Sequence, residues 1–272
     1  MRTMARHADL PSNGARRPWA ALTWIALLIA GGLLTLILPA PAMDSPLQAP
    51  SAVHWLGTDL LGRDFGWRML AGGSRTLGLA AGAALLSIIA GGAWGVAAGY
   101  LGGWADRILA RSMDAALAVP ALILGLLILA AFGPGEAVVL CAVGAGGTAT
   151  FARLLRAEAA QLRNREFVVA ARALGADDLR RILRHLLPNM SGAIAAYGAL
   201  HFGWAMVNVA SLTFLGFGGE PSAPEWGRML AEARLAFGQA PWQAMAPGLA
   251  LALTVLAVQR TGESWMERAR GG

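Results

Sequence analysis

Groups able to do acid–base, nucleophilic or metal chemistry are few in this chain: four His, one Cys and 16 Asp or Glu in 272 residues. Their spacing assembles no reaction centre. There is no HExxH, no pair of carboxylates inside an apolar run and no Ser–His arrangement, which sets aside an intramembrane enzyme. Cys141 is the single cysteine, so neither an internal disulfide nor a CxxC metal site can form, and its apolar surroundings predict a buried, inert thiol. All 22 basic residues are Arg, whereas a Walker-type phosphate loop needs Lys after Gly; the chain cannot hydrolyse ATP by that route. His201 and Asn208 stand seven apart on one face of an apolar run, with Met206 nearby. Polar groups so placed either line a translocation path or make interhelical hydrogen bonds. His201 and Met206 lack the close companions of a tight site, so no metal is expected.

The most patterned stretch runs from Glu166 to Asn189. Phe167, Ala171 and Leu174 fall at helical spacing, with Arg165 and Arg172 off that stripe. Gly175 can take the left-handed conformation that ends a helix, Asp177 or Asp178 can cap a second one, and Pro188 stops it. The reading is helix, sharp turn, helix. The first helix is too short to be stable alone, so it makes sense as a knob held by the rest of the chain and offered to a partner. An ordinary amphipathic surface loop would show the same pattern.

The elements that must position these groups follow from composition. The chain is 56% hydrophobic and 14% charged, against about 25% charged for a soluble domain. Trp19–Leu38 runs 20 residues without a charge and Leu77–Tyr100 runs 24; a bilayer core needs roughly 20 apolar residues per helix. The expected fold is an all-α polytopic bundle of about six spans, near 19–38, 76–100, 115–132, 136–155, 191–217 and 243–260, with a short charged link (Asp106, Arg107, Arg111, Asp114) between the second and third. Residues 1–18 form a tail, 19–75 the first span and a Pro-rich outer loop with room for a short surface helix. A permease-like core fills 76–265, with a charged inner loop at about 156–188, and 266–272 are read as a cytoplasmic tail. The first apolar run exceeds the 7–15 residues of a signal core, so it is read as an uncleaved helix. Gly78, Gly82, Gly91, Gly95 and Gly99 put small residues along one face of the second span, a packing signal. Glycine-rich 136–155 is read as buried among other helices. Of the 22 Arg, 17 fall on segments that are inside if the N-terminus is, and five outside. That bias puts both termini in the cytoplasm and explains the +6 net charge without nucleic acid.

Ala170-Ala171, Gly175 and Leu187-Pro188 in this spacing resemble the signature loop of bacterial ATP-driven (ABC) importer permeases of type I. His54-Trp-Leu-Gly-Thr-Asp-Leu-Leu-Gly-Arg-Asp64, Ser211-Leu-Thr-Phe-Leu-Gly216, Pro224-Glu-Trp-Gly227, Pro241-Trp242 and Pro247-Gly248 are similar to the dipeptide, oligopeptide and nickel branch, in its second, C-type permease. The resemblance covers about 52–265. Val169 stands where many members have Glu, and His185 where many have Ile. An acidic residue common near Val209 is missing.

The resemblance implies a multi-pass protein of the bacterial inner membrane that imports peptides, nickel or metal chelates and is not itself an enzyme. Its partners would be a paralogous permease, two ATPase subunits that bind ATP and Mg, an external substrate-binding protein and membrane lipid; the chain itself carries no cofactor. Glu166, Phe167, Ala170, Ala171, Leu174, Gly175, Leu187 and Pro188 would couple it to the ATPase. Arg63 and Asp64 could dock the binding protein or pair locally. Glu225 and Trp226 could gate, contact the binding protein or pack their loop. A stand-alone secondary transporter or channel would need carboxylates within spans, and Glu136 is the nearest.

Overall fold

Small residues decide which helices meet. The computed structural model describes residues 19–220 and 222–271; the expected 1–18 tail lies outside them. Its most extensive contact joins α2 (Phe65–Leu101) and α5 (Glu136–Leu162). A Cβ on Gly91 would lie 2.4 Å from the Thr148 carbonyl oxygen, one on Gly95 2.2 Å from that of Ala152, and one on Gly99 2.3 Å from that of Arg156. The steps of four ascend together, so α2 and α5 are parallel and the chain crosses back between them. It does so through α3 (Gly103–Leu117) and α4 (Ala121–Phe132), bent by 80°.

That return corrects the charged link and single span expected over 101–132. Pro120 disfavours helical geometry at Val119 and cannot donate into a ladder, so the helix breaks there. The supposed link is instead amphipathic α3, whose acids face α5: Arg156 donates to both Asp106 oxygens at 2.5 and 2.8 Å, and Arg153 to Asp114 at 2.5 Å.

After α5 come α6 (Glu166–Ala173), the short α7 (Asp178–Arg181), α8 (Leu187–Phe214), α9 (Trp226–Ala236) and α10 (Trp242–Gly271). Before α2 stands α1 (Trp19–Ile37), roughly 28 Å long at 1.5 Å per residue. α8 opposes α10, since Gly203 meets Val255 and Gly262 meets Ala196. α4 likewise opposes α5, with Gly125 beside Ala142 and Gly146 beside Ala121. The α2, α3–α4 and α5 passes therefore alternate in direction, as do α8 and α10. Four passes are single helices long and apolar enough to cross a membrane, the α3–α4 pair is a broken fifth, and α1 is a shorter apolar helix. No strand occurs among the described residues.

Further boundaries differ from the hydropathy reading. α2 starts at Phe65 rather than 76, because Asp64 Oδ1 caps it by accepting the Trp67 amide at 2.6 Å. Pro188 does not stop a helix. The Leu187 amide reaches back five residues to the Ile182 carbonyl, and this wide π turn over Ile182–Leu186 leaves room for the proline ring at the start of α8. α10 continues to Gly271, through the residues read as a tail. Cys141 is exposed, on the outer face of α5, not buried. The rest of α5 is central, as its glycines predict: Val139, Ala142, Phe151, Ala152 and Ala159 are wholly buried.

Candidate functional site

The end of the bundle opposite the 39–64 loop carries the helix–turn–helix. Gly175 has φ +80°, its amide donates to the Arg172 carbonyl at 3.0 Å, and the Ala176 amide donates to that of Ala171 at 3.1 Å. This is a Schellman closure, and it reverses the chain between α6 and α7. Asp177 stands at the cap of α7, but its side chain makes no capping bond.

The structure divides the predicted stripe. Ala171 points inward with Val168, and Phe167 is half-buried against the cluster of Leu155, Leu186 and Met190. Leu174 points the other way, 89% exposed, and Glu166, Val169, Ala170 and Ala173 are exposed beside it. One face anchors the knob; the other, mostly apolar, is left exposed among the described residues. Leu187 is half-buried and Pro188 exposed. Tyr100 at the end of α2 donates to Asp178 at 2.8 Å and Arg181 also binds that carboxylate, tying α7 to the bundle.

At the opposite end, the 39–64 segment is a folded cap. Gly57 and Gly62 have φ of +72° and +75°, and their Cβ atoms would strike the Gln48 and Asp44 carbonyl oxygens at 2.1 and 1.9 Å, so only glycine fits. Thr58 donates to the Ser45 carbonyl and accepts the Gln48 amide. Trp242 and Gln243 of α10 donate to the Leu56 and Thr58 carbonyls.

Charged side chains lock the cap. Asp59 accepts from Arg63 Nε at 2.7 Å and Arg68 Nη1 at 2.5 Å, and Arg68 also donates to Glu232 of α9 at 2.7 Å. Burial would raise the Asp59 carboxyl, but the Arg63 and Leu61 amides and the Arg68 charge outweigh it and hold it below its ordinary value. His54 Nδ1 lies 2.7 Å from Asp64 Oδ2 and its Nε2 lies 3.5 Å from Asp44.

Residues 91–261 match the family described as the binding-protein-dependent transport system inner membrane component. The chain belongs to this family. It is 36% identical to the glutathione transport system permease protein GsiD of Pectobacterium atrosepticum, over 96% of this chain and 95% of that one. It is 35% identical to the dipeptide transport system permease protein DppC of Alkalihalophilus pseudofirmus, over 89% and 83%. Its fold is similar to that of the MetNI methionine ABC transporter in an inward-facing conformation, with TM-score 0.61 and 15% identity over 75% of this chain and 96% of that one. As an ABC importer permease the chain is a transport subunit, not an enzyme.

The permease keeps several predicted site residues inside itself. Arg63 and Asp64 are engaged in the cap. Glu225 is buried, accepting from Thr76 Oγ1 at 2.7 Å and capping α9 through the Arg228 amide at 3.1 Å. Trp226 is wholly buried, and its indole donates to the Met69 carbonyl at 2.9 Å. These residues shape the cap end of the permease, with Glu225 and Trp226 buried and Arg63 and Asp64 half-buried. Met206 is fully buried. His201 is buried between α2, α5 and α8, stacked on Trp204 with centroids 5.0 Å apart and edge-on to Phe151. Asn208 is half-buried and donates to the Trp204 carbonyl at 2.9 Å, a bond within its own helix.

Sequence reasoning missed Asp59, Arg68, Thr76 and Glu232. Asp59 lies within the quoted His54–Asp64 motif and Arg68 just past it, but Arg68 and Glu232 are 164 residues apart, and no local pattern joins them.

The cap predicts a pH dependence. The Asp64 hydrogen bond raises the His54 pKa above its ordinary 6.5, against desolvation and with help from Asp44. This contribution is full below 6.5 and is lost as pH rises through the raised native value. Asp59 has the opposite sign: its contribution is present above the ordinary carboxylate value and is lost as pH falls through the depressed one. Limited proteolysis of residues 44–64 should therefore be slowest at mildly acid pH and faster on either side. His54→Phe should abolish the alkaline change alone.

Proposed function

We propose that the chain is the permease half-channel of an ATP-driven importer of small peptides, pairing with a paralogous permease and moved by ATPase subunits that dock on the exposed face of α6. The observation that carries this is the two-faced knob: Val168 and Ala171 are fixed in the bundle while Leu174, Val169 and Ala170 stand exposed past a glycine-locked turn. Force applied to that face passes through the anchored one into α5 and α8. ATP and Mg belong to the ATPases, and an external binding protein delivers cargo to the cap end, which the arginine bias places outside. Glutathione and dipeptides, named for the relatives, favour peptide over nickel or metal-chelate cargo. The bacterial inner membrane is the matching location.

The test is a pull-down of the tagged chain from detergent-solubilised membranes, with ATPase assayed on the eluate. Wild type should bring down a second permease and ATPase subunits. Ala170→Glu with Leu174→Glu should cut ATPase recovery roughly tenfold, as expected for charges placed in a desolvated contact. Full recovery with the double variant, or transport by the chain alone without ATP, overturns the reading.

A further inference from the structure

A cavity of about 490 Å³ opens between the α2–α3 elbow and α6. Three arginines from three elements line it: Arg163 at the end of α5, Arg172 on α6 and Arg181 on α7. The single carboxylate among the lining residues, Asp178, is already engaged by Tyr100 and Arg181. Arg181 has only 13% of its side chain exposed, its guanidinium carbon sits 5.7 Å from the centre of the Tyr100 ring, and its buried Nε has no hydrogen-bond partner. Arg163 reaches a carbonyl, that of Gly99, at 3.4 Å.

The backbone is shaped around these groups. Gly102 has φ +66°, and a Cβ there would lie 1.8 Å from Arg163 Nη1, so the bare elbow makes room for the guanidinium. Gly103 beside it opens α3 without a side-chain cap, and a Cβ on it would meet nothing within 4 Å. Three arginines thus line a cavity whose one lining carboxylate is already occupied. Like charges gathered in a concave, partly buried site repel unless an anion fills it, and guanidinium matches the oxygens of a phosphate in pairs.

We propose that this cavity binds a phosphate-bearing anion between Arg163, Arg172 and Arg181. The rim points to the source. Leu101 and Trp104 beside it are 57% and 77% exposed, apolar and indole groups suited to headgroup depth, on the face where the arginine bias places the cytoplasmic leaflet. An anionic phospholipid headgroup fits that position; free phosphate presents the same chemistry. Either would bridge the elbow, α6 and α7 and brace the root of the knob.

The experiment uses the purified transporter complex, stripped of lipid in detergent. Arginine modification by phenylglyoxal is read peptide by peptide, with short-chain phosphatidylglycerol, phosphatidylcholine or inorganic phosphate as probe. Protection of Arg163, Arg172 and Arg181 by phosphatidylglycerol alone identifies a headgroup site, and equal protection by phosphate identifies a free-anion site. Arg163→Gln with Arg172→Gln should weaken the protecting probe roughly tenfold or more, the loss expected when charge-assisted pairs are removed. Arg107→Gln, exposed on α3 outside the cavity, should not. Arg172→Gln alone, also at an exposed position, serves if the double variant fails to fold. Protection by neither probe overturns the proposal, as does an equal effect of Arg107→Gln. Protection that follows only the presence of the ATPase subunits also overturns it, because the arginines then meet partner carboxylates.

Discussion

Gly175→Arg is expected to reduce ATP-driven transport at least tenfold while the chain still inserts and pairs normally. A Cβ at Gly175 meets nothing within 4 Å, so the substitution makes no clash inside the permease. What it meets is backbone strain: φ is +80°, and an L-residue in the left-handed region costs roughly 1–2 kcal/mol. That is enough to shift the turn away from its native geometry by a factor of about 5–30. The Arg172 and Ala171 carbonyl bonds that close α6 are lost with it, and a long charged side chain is added at the docking tip. Transport in proteoliposomes, set against ATPase rate and the amount of chain in the membrane, measures this. Gly175→Asn should retain most transport, because Asn tolerates the left-handed region. If Gly175→Arg transports at the wild-type rate, the coupling role is wrong. If Asn fails as badly as Arg, backbone strain is not the cause.

Gly95→Leu is expected to prevent the bundle from forming. Even the Cβ of Gly95→Ala would stand 2.2 Å from the Ala152 carbonyl oxygen and 3.0 Å from the Ala152 Cα, backbone atoms in the middle of α5. Neither helix can yield by a rotamer change. Overpacking typically costs 1–3 kcal/mol where side chains can move, so two backbones forced apart should cost at least about 3 kcal/mol. That is a large share of a stability of roughly 5–15 kcal/mol. Thermal unfolding in detergent should show a clear loss for Gly95→Ala and no folded Gly95→Leu. Gly78→Ala is the control: it sits on the same helix, and its Cβ would meet nothing within 4 Å. Equal stability of the Gly95→Ala and Gly78→Ala variants would refute the close-packing argument.

These two glycines mark where the sequence is legible and where it is not. Gly175 could be read directly, because a glycine between a short apolar stripe and a pair of aspartates has one common use, a left-handed helix end. The knob, the multi-pass bundle and the importer family were likewise legible, since hydropathy, turn chemistry and motif spacing are local properties. Gly78, Gly82, Gly91, Gly95 and Gly99 look alike as letters. Only the packing of α5 separates Gly95, pressed on a backbone, from Gly78, facing outward. Arg63, Asp64, Glu225 and Trp226 have the look of a docking surface because polar and aromatic residues in loops often are one. Their actual partners are Asp59, His54, Thr76 and Met69.

The order of the spans and the existence of a helix–turn–helix knob are thus determined by the sequence itself, through periodicity and turn residues. Which face of the knob is free, that the outer motif folds into a buried ionic cap, and that Arg163, Arg172 and Arg181 share one cavity were decided by the tertiary structure. The reason is physical: a side chain's burial and partner depend on which distant backbone approaches it, and that is settled only when the parallel α2–α5 pair and its antiparallel neighbours close around one another.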